Sequence, residues 1–399
     1  MGWRPPLETV KFLYASWASP NRRPVRLTRL AVRHFRNLGI QNLELPPEGV
    51  AIIGDNAQGK SNFLEAIYYL ETFRSFRGSR DDQLVAFDEG VFRVVGSLMD
   101  DGETTASAEI AAAYEQRGRR KKVTVDGNEP ERLSDGLGRL GAVIFSPADV
   151  ELVSGGPAER RRFLDIVLSL SEPAYLRALQ DFRKVLARRN ASLKDEQPGA
   201  VVSSWDQGLV RAGAVVMKVR RDWIEGRCGA FGDYYADVAD GPRALMTYRS
   251  SVALGDARGE DDIALAYREA LMDSAERERR AGATVVGPHR DELRLRLEGE
   301  EGEDLDLRDY GSGGERRTAA LALRLVEART IREVRGHEPI ILLDDIFAEL
   351  DGGRSERVLE LMEREEVGQV VLTAPKESDV RIRRNDLPRW HVRGGTIES

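Results

Sequence analysis

The sequence predicts an α/β protein whose sheet-forming sequence is interrupted by a long helical insertion. An apolar strand, GVAIIG, leads into a glycine-rich turn and then into apolar residues at helical spacing, all within residues 49–72. Charge-rich sequence with helical periodicity fills residues 157–281. A second apolar strand, IILL at 340–343, ends in two acidic residues. Acids in that position are typical of the carboxyl edge of a parallel sheet, where ligands bind.

The chain has 399 residues, which is too long for one ordinary domain. We expect a flexible leader at 1–24 and the N-terminal part of an α/β head at 25–150. A helical arm follows at 151–285, and the C-terminal part of the head occupies 286–399.

The remaining elements follow from periodicity. Residues 91–146 alternate as strands do, and the Asp126-Gly127 pair is typical of a tight hairpin. Strand-like sequence returns at 283–299, and a glycine turn at 311–314 opens a helix. The segment after the paired acids predicts one more helix, and GQVVLTA then predicts one more strand.

Composition limits the protein classes. The net charge is −7, which argues weakly against a broad nucleic-acid surface, although RGRRKK (117–122) and ERRRF (159–163) are basic clusters. One cysteine excludes an internal disulfide, so a reducing cytoplasm is the expected location. The sequence contains no apolar run of about 18 residues, so we expect no membrane partner.

The glycine-rich turn is the first candidate site. Its glycines let several backbone N–H groups point at one centre, and the following helix adds its positive end. Lys60 is placed to reach the β- and γ-phosphates of ATP, and the Ser61 hydroxyl to ligate Mg²⁺. The predicted nucleotide-binding residues of this loop are Gly54, Asp55, Asn56, Ala57, Gln58, Gly59, Lys60, Ser61 and Asn62.

The paired acids are the second candidate site. We expect Asp344 to hold the Mg²⁺ shell together with Ser61, and Asp345 to orient or deprotonate the attacking water. The predicted catalytic residues are therefore Lys60, Asp344 and Asp345. Two ordinary helix-capping acids are the alternative interpretation.

A second glycine-rich helix start lies at Ser312–Glu315, far along the chain from Lys60. Because one nucleotide already has its loop, this one suggests a second subunit's nucleotide. Ser312 and the backbone of Gly313 and Gly314 are expected to cap a γ-phosphate held by the partner's loop. The alternative is an ordinary helix N-cap.

The order of these motifs resembles the head of an ABC-type P-loop ATPase with an inserted helical arm. Such heads dimerise head to tail around two ATP molecules, and the resemblance places Asp351 with Ser312 at that interface. The long spacing from Lys60 to Asp344 disfavours a kinase or GTPase. A transporter ATPase subunit and an ATP-dependent DNA-binding module with negligible hydrolysis are the rival functions.

Three segments narrow the resemblance: FRNL (35–38), FSPADVELVSGGPAERRRFLD (145–165) and VGPHRDEL (286–293) are similar to segments of the RecF family. That family comprises bacterial recombination mediators among the SMC-like ATPases. The resemblance implies ATP-dependent dimerisation, DNA binding at gaps or single-strand/double-strand junctions, and slow, DNA-stimulated hydrolysis that resets the clamp. It also implies work with RecR and RecO to promote RecA loading, and links to the SOS response and stalled forks.

The sequence departs from the ABC pattern at three places. Asp345 stands where many members have glutamate, which fits slow turnover. Ala374, preceded by Thr373, stands where the usual switch histidine is found. Gln83 is a candidate Mg²⁺ ligand, or else a surface glutamine.

Two further features have a structural interpretation as well as a functional one. His289 is a candidate catalytic residue, but a lone histidine in such a sequence more often orders a turn. The basic cluster is a candidate DNA contact or a solvated helix face, and its members are Arg160, Arg161 and Arg162.

Overall fold

The computed structural model describes residues 25–100, 108–299, 304–348, 350–365, 368–380 and 387–398. The chain divides into a first unit, up to Asp149 and from Glu327 onward, and a second unit, Val150–Val326. The expected leader at 1–24 lies outside the described residues. The compact units end at different residues from the sequence-based domains, whose limits stay a prediction.

The first unit holds two sheets and the second unit holds one. The described strands are β1 (Val25–Arg33), β2 (Gln41–Glu44), β3 (Gly49–Ile53), β4 (Val91–Asp100), β5 (Ala108–Glu115), β6 (Arg120–Val125), β7 (Ala142–Phe145), β8 (Ala244–Arg249), β9 (Glu292–Leu297), β10 (Leu305–Asp306), β11 (Ile340–Leu343), β12 (Val370–Ala374), β13 (Arg389–Arg393) and β14 (Thr396–Glu398).

Most of the helical sequence belongs to the second unit. The described α-helices are α1 (Lys60–Thr72), α2 (Glu151–Ser154), α3 (Pro157–Ser171), α4 (Pro173–Lys194), α5 (Gly199–Ser203), α6 (Asp206–Ala239), α7 (Glu260–Ala281), α8 (Leu307–Tyr310), α9 (Gly313–Arg335) and α10 (Gly352–Arg364). Short 3₁₀ turns lie at Asp81–Gln83, Leu133–Gly136, Pro147–Val150, Ile346–Ala348 and Glu377–Asp379.

The larger sheet of the first unit is mostly parallel, with the order β14-β13-β3-β12-β11-β7. β3 and β12 pair in parallel with Thr373 opposite Ile52, and β11 and β12 pair with Leu343 opposite Leu372. All residues of β3, β11 and β12 are buried. Because parallel strands end at the same edge, the segments that follow β3, β11 and β12 meet there.

The smaller sheet of the first unit is antiparallel, with the order β2-β1-β4-β5-β6. Its apolar side joins α1 and the larger sheet in one core cluster. The predicted hairpin at Asp126-Gly127 forms: both residues have positive φ, and Val125 pairs with Asn128. These two sheets and α1 confirm the predicted α/β fold and the loop between strand and helix.

The second unit is helical, as expected for the arm, but it also contains the antiparallel sheet β10-β9-β8. β8 was not predicted, because its six residues lie in charge-rich sequence between two long helices. α6 ends at Ala239, and its C-cap residue Asp240 has a φ of 54°. β8 then pairs with β9 so that Met246 lies opposite Leu295. The pairing partner of β8 comes from a segment beyond α7, which local periodicity does not report.

Candidate functional site

The loop after β3 contains two positions that only glycine fits. A Cβ on Gly54 would lie 2.6 Å from the backbone oxygen of Val392, and Gly59 has a φ of 120°. The Gly54 N–H donates to the carbonyl of Ala374 at 3.3 Å, so the loop leaves β3 while still attached to β12. The loop path is therefore set by the sheet edge beneath it.

Other contacts hold the outer part of the loop. Gln58 accepts N–H groups from Gly394 (2.6 Å, on its side chain) and Gly395 (2.9 Å, on its carbonyl). Asn37 donates to the carbonyl of Ala57 at 3.4 Å, and Ala57 itself has a φ of 64°. Asp55, Asn56 and Ala57 remain exposed.

Lys60 is the first residue of α1, and its side chain folds back into the loop. Only 4% of the residue is exposed. Its Nζ donates to the carbonyls of Gly54 (2.8 Å) and Asp55 (3.2 Å) and lies 3.8 Å from a carboxylate oxygen of Asp345. A buried ammonium needs such partners, because an unpaired buried charge is strongly unfavourable.

Ser61 and Asp344 meet across the sheet edge. The Ser61 hydroxyl donates to Asp344 Oδ1 at 2.7 Å. Burial raises the pKa of the Asp344 carboxyl above its usual range, and the charge of Asp345 adds to that rise. The hydrogen bonds from Ser61 and Thr373 oppose it. A cation beside this carboxylate would favour its ionised form, so the pair suits a positive ligand.

Thr373, on β12, joins the two acids. Its Oγ1 accepts the N–H of Asp345 at 2.9 Å and lies 3.1 Å from Asp344 Oδ1 and 3.2 Å from Asp345 Oδ1. The Thr373 hydroxyl has one proton, and a carboxylate oxygen of either acid is close enough to accept it. Asp345 itself has a φ of 47°, a left-handed conformation that costs an ordinary residue about 1–3 kcal/mol. The backbone turn after β11 is thus held by β12.

These oxygens fit a hard divalent cation. Mg²⁺ binds proteins through one or two carboxylates and keeps waters or substrate phosphates as its other ligands. Ser61 Oγ and the Asp344 carboxylate are oxygen donors of that kind at hydrogen-bond distance from each other. No cluster of three or more His, Cys, Asp or Glu side chains with metal-binding geometry exists among the described residues.

The second glycine-rich helix start lies in the second unit. Ser312 Oγ accepts the N–H of Glu315 at 3.3 Å, and Glu315 returns a bond to the Ser312 N–H at 2.7 Å, which is a capping box. Arg316 donates to the carbonyls of Leu307 and Arg308 and so holds the preceding turn. Ser312 and Gly313 are exposed.

Two other predicted site residues have local partners. Asp351 is an exposed N-cap of α10: it accepts the N–H of Arg354 at 2.9 Å, which together with the Arg354 charge lowers its pKa. Gln83 lies exposed in a 3₁₀ turn, where its side-chain oxygen accepts the N–H of Arg80 at 3.0 Å. The dimer role of Asp351 and the Mg²⁺ role of Gln83 stay predictions.

The predicted DNA-contacting arginines differ from one another. Arg160 is 3% exposed, and its guanidinium binds the carbonyls of Leu152, Val153 and Gly155 and the carboxylate of Glu292. Those contacts favour a structural role for Arg160.

The other two arginines of the cluster are more accessible. Arg161 donates to the carbonyl of Asp291 at 2.9 Å, and burial lowers its pKa. Arg162 is exposed. The DNA role of the three stays a prediction.

His289 lies in the second unit, two residues before Asp291, whose carbonyl accepts the Arg161 hydrogen bond. Its Nε2 lies 2.9 Å from the carbonyl of Thr284, and burial lowers its pKa to about 4. The contact orders the turn between α7 and β9. A neutral side chain bonded to a backbone carbonyl fits the interpretation that His289 orders a turn.

Two residues near the loop were missed by sequence reasoning. Asn37 accepts a hydrogen bond from Asn62 at 2.8 Å, and Arg77 donates to the other side-chain atom of Asn62 at 3.0 Å. The charge of Arg77 also lowers the pKa of Asp344. Asn37 belongs to FRNL, whose only signal in the sequence is its similarity to the RecF family. Arg77 is one of several arginines after α1, and its spacing carries no signal.

The fold and the site together define a class of ATPase heads. A family described as "RecF/RecN/SMC N terminal domain" matches residues 26–386. A solved Smc head domain from Pyrococcus furiosus shares the fold, with a TM-score of 0.53 and 17% sequence identity over 94% of this chain and 95% of that one.

Closer relatives specify the family. The "DNA replication and repair protein RecF" of Synechococcus sp. (strain JA-2-3B'a(2-13)) is 37% identical over 355 residues, 87% of this chain and 90% of that protein. A similar protein of Salinibacter ruber is 33% identical over 92% of this chain and 88% of its own. A solved "recombination mediator protein RecF-ATP in RecFOR pathway" has a TM-score of 0.85 and 32% identity, covering 96% and 99% of the two chains. The chain belongs to the RecF family of SMC-like ATPases.

No helix among the described residues is long and apolar enough to cross a membrane.

Proposed function

We propose that this protein is an ATP-dependent DNA-binding protein of recombinational repair and replication-fork maintenance, and that ATP joins two copies into a clamp. The observation that carries the proposal is the meeting of Lys60, Ser61, Asp344 and Thr373 at one edge of a parallel sheet. The relative described with ATP and the relatives named for DNA replication and repair support the ligand and the process.

Phosphate binding begins with the loop and Lys60. The first N–H groups of α1 have no partner within the helix and point toward the loop's concave side. The Lys60 ammonium exchanges its two carbonyl partners for β- and γ-phosphate oxygens. Gly54 is half-buried and Asp55 is exposed, and we expect water to replace the lysine at both carbonyls after the exchange.

Ser61 and Asp344 hold Mg²⁺, which neutralises phosphate charge when bound. The Ser61 hydroxyl, which donates to Asp344 in the structure, would supply the ion with one oxygen ligand. Asp345 orients the attacking water and accepts its proton. Because aspartate is shorter than glutamate and Asp345 is fixed by Thr373 through its N–H, we expect slow hydrolysis. Stimulation of this hydrolysis by DNA is proposed from the family alone.

The dimer is completed from the second unit of the other copy. Gly313 and Gly314 open α9, so their N–H groups are free of helical partners and suit an oxyanion. Ser312 keeps its capping bond to Glu315 and is exposed. We place Ser312, Gly313 and Gly314 on the γ-phosphate held by the partner's loop, with Asp351 beside the same interface.

The partner set follows from the family. We propose gapped duplex or single-strand/double-strand junction DNA as the ligand of the dimer, and work with RecR and RecO in RecA loading, in the cytoplasm. The description of the solved relative as part of the RecFOR pathway supports these partners.

The test of the dimer is molar mass by light scattering, with and without ATP and Mg²⁺. We expect ATP to double the mass of wild type and to leave Ser312→Arg monomeric. Ser203→Arg is the matched control, since Ser203 is also an exposed serine of the second unit. Wild type that binds ATP in a filter assay and stays monomeric at saturation would refute the clamp while leaving the nucleotide site intact.

Hydrolysis is tested by phosphate release with and without DNA. Asp345→Asn is expected to keep ATP binding and dimerisation and to lose at least tenfold in turnover. Lys60→Met is expected to lose binding itself. Equal turnover for wild type and Asp345→Asn would show that Asp345 does not position the water and would favour a module that uses ATP only to dimerise.

A further inference from the structure

Helix α7 of the second unit has apolar side chains on two of its sides. Those on the inner side, Ile263, Tyr267 and Leu271, are buried in the core of that unit. Two more lie on another side and are exposed: Leu265 has 58% of its surface accessible and Met272 has 63%. Leu265 and Met272 are seven residues apart, which is about two helical turns, so they lie on the same side of α7.

These two residues belong to a longer line of exposed positions, which we call the outer stripe of α7. Its members follow one another at alternating steps of four and three residues, and all are exposed: Asp261, Leu265, Arg268, Met272, Ala275 and Arg279. The stripe is about 27 Å long at 1.5 Å per residue. This spacing is that of a heptad seam, along which one helix pairs with another.

The two ends of the outer stripe carry opposite charge. The first turn of α7 contains Glu260 and Asp261, and the last turn contains Arg279 and Arg280. Both arginines share a single acid, Glu276, at 3.2 and 3.0 Å, so the end of the helix stays positive. Charges of these signs also suit the dipole of α7 itself. The dipole, however, gives no reason for exposed apolar side chains between the two ends.

A second α7 helix, placed antiparallel, fits the apolar middle of the stripe. With Arg268 beside the partner's Met272, the stripe runs against itself, and Leu265 comes beside the partner's Ala275. The small Ala275 leaves room for the larger leucine. The aliphatic stem of Arg268 can cover the methionine while its guanidinium stays in water. The middle of the stripe is therefore complementary to itself.

The same register matches the charged ends. It places Asp261 beside the partner's Arg279, and Glu260 beside the partner's Arg280. Because a two-fold contact is isologous, each of these pairings occurs twice. A parallel pair would instead bring acids beside acids and arginines beside arginines. Charge complementarity thus selects the antiparallel arrangement, and one helix supplies both halves of it.

We propose that the outer stripe of α7 pairs antiparallel with the same stripe of a second copy of this chain. The contact is separate from the proposed ATP-dependent clamp and uses no nucleotide, so two copies can associate before ATP binds. Stable interfaces bury about 1,200–2,000 Å². Each copy brings only two large apolar side chains to this one, so we expect weak association that is seen at high protein concentration.

The test is sedimentation velocity over a range of protein concentrations, without nucleotide. Every protein carries Ser312→Arg, so that the ATP-dependent clamp does not contribute. We expect the parent protein to form a dimer whose fraction rises with concentration. Met272→Lys sets a second positive charge beside the partner's Arg268 and should weaken association by about tenfold or more. Val201→Lys is the matched control, since Val201 is an exposed apolar residue elsewhere in the second unit, and it should associate as the parent does.

Two further variants test the charged ends. One combines Glu260→Lys with Asp261→Lys, and the other combines Arg279→Glu with Arg280→Glu. Each variant alone should stay monomeric, because both ends of its α7 then carry the same charge. An equimolar mixture should dimerise, since opposite charges meet again at both ends, and a folding defect cannot produce association on mixing.

Three results would overturn the proposal. The first is a parent protein that stays monomeric at every concentration. The second is equal association of Met272→Lys and Val201→Lys. The third is a mixture of the two charge variants that stays monomeric while the parent dimerises. None of these results depends on ATP, so each leaves the proposed nucleotide site and clamp untouched.

Discussion

Thr373 is expected to be the residue that holds the two acids in place, and Thr373→Val tests this with almost no change in shape. Valine replaces the hydroxyl by a methyl group. The Asp345 N–H, 2.9 Å from Oγ1, then loses its acceptor, and the two carboxylates lose a shared donor at 3.1 and 3.2 Å. Thr373 is 2% exposed, so water does not readily take its place.

The expected cost follows from those contacts. A buried N–H left without a partner costs about 1–3 kcal/mol, and a hydrogen bond to a charged group contributes about 1.5–3 kcal/mol. The two losses share one site and are not independent, so we expect Thr373→Val to lower the free energy of unfolding by about 2–4 kcal/mol. The hydroxyl also lowers the pKa of Asp344, so its removal favours the protonated acid and weakens Mg²⁺ binding.

The assay is urea unfolding by circular dichroism, together with Mg²⁺-dependent ATP binding. Thr373→Ser keeps the hydroxyl and is expected to stay within about 1 kcal/mol of wild type, the loss of one methyl group. If Thr373→Val matched Thr373→Ser in both stability and Mg²⁺ dependence, the hydroxyl would have no role in holding the acids.

Three further predictions concern the loop, the arm and pH. Gly54→Ala is expected to lose about 1–3 kcal/mol of stability, since its Cβ meets a backbone carbonyl at 2.6 Å; Gly90→Ala, with open space around it, should be neutral, and equal urea midpoints would contradict the clash. Arg160→Met should destabilise the protein by about 3 kcal/mol by leaving a carboxylate and three carbonyls unpaired. Arg162→Met, at an exposed position, should stay within about 0.5 kcal/mol of wild type. The pKa of His289 is about 4 in the folded protein and 6.5 ordinarily, so the unfolded state binds the proton first as pH falls. Stability should therefore drop by about 2 kcal/mol from pH 7 to pH 5, and His289→Gln should flatten urea stability over that window.

The sequence predicted best where the signal is local. The glycine-lysine-serine loop lies between its strand and its helix in the chain. The backbone conformation of each of these three elements directly restricts which residues can occupy it. Asp344 was found because strands of a parallel sheet end at one edge, whatever their separation in sequence.

The prediction was weakest where burial depends on distant segments. The ERRRF cluster has the pattern of a charged helix face, yet Arg160 turns inward because carbonyls at the end of α2 and Glu292 of β9 surround it. β8 needed β9 as a partner. None of these pairings produces a periodic pattern of residues within a single segment of the sequence.

The strand order of the larger sheet has a consequence for how the chain is made. β3 is completed early in synthesis, but its two neighbours, β12 and β13, come from the last thirty or so residues. Ser61 and its partner Asp344 are 283 residues apart. On the ribosome, β3 and its loop therefore wait for the C-terminal segment before the sheet can close. A chain cut short before β12 retains the whole glycine-rich loop and lacks the strand whose Ala374 carbonyl accepts the Gly54 N–H, so the site depends on β12.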